Sequence, residues 1–277
     1  MDLLDGPEEP LLGGDVTEGV VRIGDTVRRP VQPWSALVEA VLEHLERTGF
    51  EGAPRFLGRD AQGRQALSFV RGEVAGRPWP EWVADTDRIV SVARLVRRFD
   101  DAMQSFEMPA DLPTNEIADP PGTPASIAGP PTFVGHMDIT PENVVFVDGR
   151  ASALIDFDLA RPTERVSEVC NVLLWWAPLM PREDRELAVR DVDGVERAAL
   201  LVDAYGLDPG DRELIVPMAR NMADRAWHSM QNRARLLGGG WQRMWDEGVG
   251  DRILRRQAWL AENADALQRA IVGNSPS

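Results

Sequence analysis

Residues 133–162 read FVGHMDITPENVVFVDGRASALIDFDLARP, and no other stretch restricts the fold as closely. Two β-rich runs, 144–147 and 153–155, flank Asp148-Gly149-Arg150, whose Asp-Gly step is a short-range hairpin signal. A hairpin brings its two ends together. Asn143 enters the first strand and Asp156 leaves the second, so such a fold sets them side by side. Pro141 breaks any helix upstream and keeps Asp138 on a loop. His136-x-Asp138, Asn143 and Asp156-x-Asp158 thus form an ordered polar set at one end of a hairpin.

Phosphoryl transfer needs such groups: one carboxylate against the attacking hydroxyl, and an amide oxygen with a second carboxylate to hold magnesium on the phosphates. Solvated acids on a surface hairpin would explain any one of them, but not all three in this order. By these residues the stretch resembles the aminoglycoside phosphotransferase family, small-molecule kinases with the protein-kinase-like fold. That family's loop reads His-Gly-Asp-x-x-x-x-Asn, and its metal aspartate follows in Ile-Asp-x-x. The resemblance implies an α+β, two-lobed fold, with a small antiparallel-sheet N-lobe (1–70) and a larger, mostly helical C-lobe (71–277). It implies ATP or GTP with Mg2+ as cofactors. It also implies that Asp138 is the catalytic base, that Asn143 and Asp156 are metal ligands, and that His136 braces the loop. Met137 departs from the family's small residue, and Asp158 stands where a protein kinase has glycine. Neither change removes a catalytic group.

Composition narrows the partners. The net charge of −15 argues against nucleic acid, which calls for a basic face, and fits a cationic small-molecule substrate steered by an acidic cleft. No apolar run approaches the roughly 18 to 20 residues of a membrane span, and the acidic N-terminus lacks a signal-peptide pattern. Cys170 is the single cysteine, so no internal disulfide can form and the cytoplasm is the expected setting. No protein partner is indicated. The chain has no lysine, so all 30 basic residues are arginine, and the kinase-fold lysine that contacts phosphates is absent in any register.

Residues 11–29 read as a glycine turn and a hairpin, with Gly13 and Gly14 placed to let backbone amides cover phosphates. If Val27 faces the nucleotide, the strand's period of two puts Arg29 on the same side as the lysine substitute, with Arg28 the fallback. A helix over 35–48 presents Leu37, Val41 and Leu45 inward. Of its outer acids, Glu39 or Glu43 is expected to pair with Arg29, while His44 is expected to pack. Strands over 53–58 and 65–70 lead to a hinge at 68–72, where backbone at Ser68 and Val70 would hold the purine edge. A long amphipathic helix starts at Asp85, and a Pro- and Gly-rich loop spans 107–132. Helices follow over 166–179, 196–205, 212–237 and 241–272.

Helix 212–237 carries a polar stripe of Asn221, Asp224, His228 and Asn232, with Arg225 adjacent. That stripe is either a solvated face or a set of donors and acceptors for a hydroxyl-rich cation. Asp158, Asp224 and His228 are the substrate candidates, and Glu164, Glu168, Glu183, Asp184 and Glu186 are further acids available to amines. Trp241 and Trp245 read as packing residues. The leading reading is a kinase that phosphorylates a cationic antibiotic, an aminoglycoside or a basic cyclic peptide. A metabolic kinase for choline, homoserine or a sugar is the runner-up. A nucleotide-binding pseudokinase is favoured by the missing lysine and opposed by the retained Asp138, Asn143 and Asp156.

Overall fold

The computed structural model describes residues 6–11 and 19–273; Gly13 and Gly14 lie outside them. Residues 9–68 supply an antiparallel sheet in the order β1-β2-β3-β5-β4. Its strands are β1 (Glu9–Pro10), β2 (Val21–Ile23), β3 (Thr26–Arg29), β4 (Phe56–Arg59) and β5 (Gln65–Ser68). Between β3 and β4 runs α1 (Ser35–Arg47), which buries Leu37, Val38, Val41, Leu42 and Leu45 along one stripe. This matches the expected helix to within a residue.

After β5 the chain crosses to the second region through residues 69–73. Glu73 and Phe146 exchange backbone hydrogen bonds of 2.8 and 2.7 Å, which docks the crossing segment on the hairpin of residues 144–154. Gly72 makes the approach possible, because its φ is +152° and a Cβ there would lie 2.5 Å from the Phe146 carbonyl oxygen.

The centre of the second region is α2 (Thr86–Met103), started by Asp85, whose side chain accepts from the Asp87 and Arg88 N–H groups. Ile89, Val92, Leu95, Val96, Phe99 and Met103 of α2 are fully buried. Around it lie β6 (Phe133–Gly135), β7 (Val144–Val147), β8 (Arg150–Leu154) and β9 (Arg161–Thr163). The helices that follow are α3 (Arg165–Trp176), α4 (Gly194–Tyr205), α5 (Pro209–Arg212) and α6 (Ile215–Leu237). The β7–β8 turn has φ of +49° at Asp148 and +73° at Gly149, the left-handed pair a tight hairpin requires.

The expected single helix over 241–272 is instead three: α7 (Gly239–Asp246), α8 (Val249–Glu262) and α9 (Ala264–Gly273). Gly248, at φ +84°, ends the first, and Gly250 lets the Trp245 ring lie where a Cβ would come within 2.9 Å of it. Asn263 closes the second, its side chain donating to the Trp259 carbonyl at 2.8 Å. No helix among the described residues is long and apolar enough to cross a membrane.

Candidate active site

β6 and β9 pair antiparallel with Gly135 opposite Arg161, so the loop after β6 and the loop before β9 run side by side. The Ile155 N–H donates to the Asn143 carbonyl at 2.9 Å, adding one rung beyond the β7–β8 ladder. That rung sets Asp156 next to Asn143, as the hairpin spacing requires. Met137 at φ +57° and Asp156 at φ +63° both hold left-handed backbone. Each conformation costs on the order of 1 to 3 kcal/mol for a residue with a side chain, so surrounding contacts must hold both loops.

Asn143 supplies one such contact. Its amide nitrogen donates to the Asp138 carbonyl at 2.8 Å and to a carboxylate oxygen of Asp138 at 3.0 Å. Its amide oxygen has no partner among the described residues. Burial, and after it the Asp156 charge, pushes the Asp138 carboxyl up to about 7, while the Asn143 bond opposes the rise. A carboxylate in that range is suited to accept a proton near neutral pH.

His136 is fully buried, 4.5 Å centroid to centroid from the Phe157 ring. Its Nδ1 accepts the Asp138 N–H at 3.3 Å, so Nε2 carries the proton and donates to the Ile155 carbonyl at 3.0 Å. Burial lowers its pKa to about 4, which keeps the ring neutral. One side chain thereby ties the loop of Asp138 to the residue preceding Asp156.

α3 forms the floor of this loop. Glu168 accepts the His136 N–H at 2.8 Å and the Met137 N–H at 3.2 Å. Asn171 accepts from the Ile139 N–H at 2.9 Å and donates to the Met137 carbonyl at 3.0 Å; the Trp176 indole donates to the Ile139 carbonyl at 2.9 Å. Gly135 is required above Glu168, because a Cβ there would lie 2.7 Å from its carboxylate. Burial raises the Glu168 carboxyl to about 7 against the pull of those two N–H bonds.

Glu168 is therefore an internal support, correcting the expectation that it is free to meet amines. Glu164 is likewise occupied, capping α3 through the Val166 and Ser167 N–H groups at 2.6 and 3.1 Å, and Asp184 pairs with Arg255 at 2.8 Å. The sequence did carry a signal for the floor. Glu168 and Asn171 are polar residues three apart on a largely apolar helical run.

Arg29 reaches this site from the sheet, donating to Asp156 at 3.0 Å and Asp158 at 2.5 Å. The alternation of β3 decides between the two candidates: Arg28 is fully buried and lies 3.5 Å from Asp60 instead. The expected pairing of Arg29 with an α1 glutamate is not found. Glu39 accepts from Arg59 and from Gln65, each at 3.0 Å, because Gln65 sits beside Arg29 across the sheet and intercepts it. Glu43 is exposed. At the crossing segment, Ser68 commits its N–H and its hydroxyl to Arg55, whereas Val70 has no hydrogen-bond partner among the described residues.

Part of the polar stripe of α6, Asn221 and Asn232 with the adjacent Arg225, is committed within the protein, while Asp224 is exposed. The committed part clamps the long loop: Arg225 donates to Asp119 and to the Pro124 carbonyl, both at 2.5 Å. Asn221 donates to the Ala125 carbonyl at 2.9 Å, and Asn232 to that of Ala118 at 3.1 Å. The clamped loop walls a cavity of about 230 Å³, lined among others by Glu116, Met137, Arg161, Glu164, Met218 and Asn221. Met137 places this cavity next to Asp138. Asp224 and His228 do not join it; they line an open groove with Trp227, Leu254 and Gln257. His44, Trp241 and Trp245 pack as expected, against the Ala102 carbonyl at 2.9 Å, Arg233 at 4.7 Å and Trp227 at 5.7 Å respectively.

A small sheet delivering one cation to a buried, braced pair of catalytic-type loops is the organisation of a protein-kinase-like phosphotransferase. The chain belongs to the phosphotransferase enzyme family, whose model matches residues 79–201. It is 32% identical over 210 residues to the trifolitoxin immunity protein of Rhizobium leguminosarum bv. trifolii, covering 73% of this chain and 75% of that one. Among solved structures, a choline/ethanolamine kinase family protein from Mesorhizobium loti superposes with a TM-score of 0.59 at 14% identity, over 97% of this chain and 93% of that one. A macrolide 2′-phosphotransferase from Brachybacterium faecium gives 0.51 at 15% identity, over 98% and 92%. At such identities the likeness is one of fold.

Proposed function

We propose that this enzyme transfers the γ-phosphoryl group of ATP or GTP to a hydroxyl of a cationic small molecule, a toxin or antibiotic that it thereby inactivates. The observation that carries the reading is the contact of Asn143 with Asp138, beside Asp156 and one residue along the chain from Met137, which lines the cavity. Asp138 accepts the acceptor hydroxyl's proton as its oxygen bonds to the γ-phosphorus. The bond from that phosphorus to the β–γ bridging oxygen breaks, and the nucleoside diphosphate leaves.

The residues fit Mg2+. Asn143 has its amide nitrogen fixed on Asp138, so oxygen is the donor left over, and Asp156 adds a carboxylate; both are hard ligands. Bound there, the ion would neutralise phosphate charge. Arg29 supplies the cation that lysine provides in the family, and Val70 offers unpaired backbone for the purine edge. Residues 1–70 would then serve as the nucleotide lobe and 71–277 as the acceptor lobe.

The net charge of −15 favours a basic acceptor, and Glu116 in the cavity wall, half exposed and paired with Arg161 only at 3.7 Å, is the acid offered to it. Kinship with an immunity protein favours inactivation of a toxic compound over a metabolic reaction. The test is release of ADP or GDP by purified protein with Mg2+ and a panel of basic antibiotics and peptides. Acceptor-dependent release that vanishes in Asp138→Asn supports the reading, and no release with any acceptor rejects it.

A further inference from the structure

The chain has no lysine, and of the α1 glutamates Glu39 is committed to Arg59 and Gln65 while Glu43 is exposed. Something else must hold Arg29 in place. Its two carboxylate contacts differ in kind. Asp158 lies at 2.5 Å with its side chain 16% exposed, and Asp156 lies at 3.0 Å with its side chain 38% exposed. Both bonds come from a single terminal nitrogen, Nη2. A guanidinium nitrogen carries two hydrogens, so one nitrogen can serve both aspartates while the other N–H groups remain to meet an anion.

We propose that Asp158 is the positioning residue for Arg29, keeping the guanidinium aimed at nucleotide phosphate when Asp156 turns to its own ligand. The phosphate anchor is then wired to the loop before β9, not to α1. This rests on the phosphotransfer reading above and deepens it. It also accounts for arginine at this position: a planar fork can be gripped at one corner and still present its other donors, whereas an ammonium offers three hydrogens from one atom. Charge-assisted bonds of this length hold a side chain firmly, and losing one partner loosens the other.

The test is calorimetric binding of ADP to the full chain, first in EDTA and then with Mg2+, for wild type, Asp158→Ala, Arg29→Ala and the double variant. Asp158→Asn keeps the shape without the charge and replaces Asp158→Ala if the latter fails to fold. Expected is about a tenfold loss of metal-free ADP affinity in each single variant, with the double no weaker than Arg29→Ala alone. Asp158→Glu should recover part of the loss. Three results overturn the proposal: wild-type affinity in Asp158→Ala while Arg29→Ala is weakened, additive losses in the double, or a loss seen only with Mg2+, which would make Asp158 a metal ligand. Absence of any nucleotide binding by wild type would reject the phosphotransfer reading itself, and this inference with it.

Discussion

Replacing Glu168 by alanine tests whether α3 holds the catalytic loop in place. The substitution strips the buried N–H groups of His136 and Met137 of their acceptor. An unsatisfied buried donor costs about 1 to 3 kcal/mol, so the pair should cost roughly 4 kcal/mol. A second effect opposes the first. Burial raises the Glu168 carboxyl from its ordinary 4.5 to about 7, so the folded state binds this proton more tightly than the unfolded chain does. The charged carboxylate is therefore a burden above pH 7 that disappears as pH falls towards 4.5. Over that span it amounts to about 3 kcal/mol, at about 1.4 kcal/mol per pH unit. Alanine removes the burden together with the hydrogen bonds. Urea denaturation of Glu168→Ala should thus show a loss of about 4 kcal/mol at pH 4.5, about 2.5 kcal/mol at pH 5.5 and about 1 kcal/mol at pH 8. Turnover should fall by about tenfold or more at either pH, because displacing a catalytic group by about an ångström can cost as much as 10²-fold. A loss that grows with pH, or unchanged turnover, would refute the assignment.

Asp138→Asn should lower kcat by about 10²-fold or more with nucleotide affinity kept within about twofold, as removal of a proton acceptor alone demands. Asp156→Ala should abolish the gain in nucleotide affinity on adding Mg2+, measured by calorimetry. His136 is held near pKa 4 against an ordinary 6.5, so acidification across that window protonates the unfolded chain first. Relative to His136→Gln, wild type should therefore lose up to about 3 kcal/mol in urea between pH 6.5 and 4; Asp138 and Glu168 shift the opposite way but contribute equally to both proteins. If Glu116 receives a basic acceptor, Glu116→Gln should raise the acceptor KM about threefold or more and flatten its rise with ionic strength, leaving the nucleotide KM in place.

The sequence by itself determined whatever depends on near neighbours along the chain. The Asp-Gly turn of the hairpin, the juxtaposition of Asn143 with Asp156 and the burial stripe of α1 all follow from short spacings, where backbone geometry leaves little freedom. The period of a strand favoured Arg29 over Arg28 only on the condition that Val27 faced the nucleotide, and the folded sheet placed Arg29 against Asp156 and Asp158. Partner choice across the fold was another matter. Arg29 was expected to meet a glutamate of α1, but the sheet register sets Gln65 beside it and hands Glu39 to that amide, leaving Asp158 to take the guanidinium. Glu168 looked like one surface acid among several until packing placed it beneath Gly135, and the α6 stripe looked open until the 107–132 loop lay across part of it. A side chain's local pattern states which face it occupies. Which group stands opposite, 30 to 130 residues away in sequence, is settled only when the core packs and fixes the distance between elements.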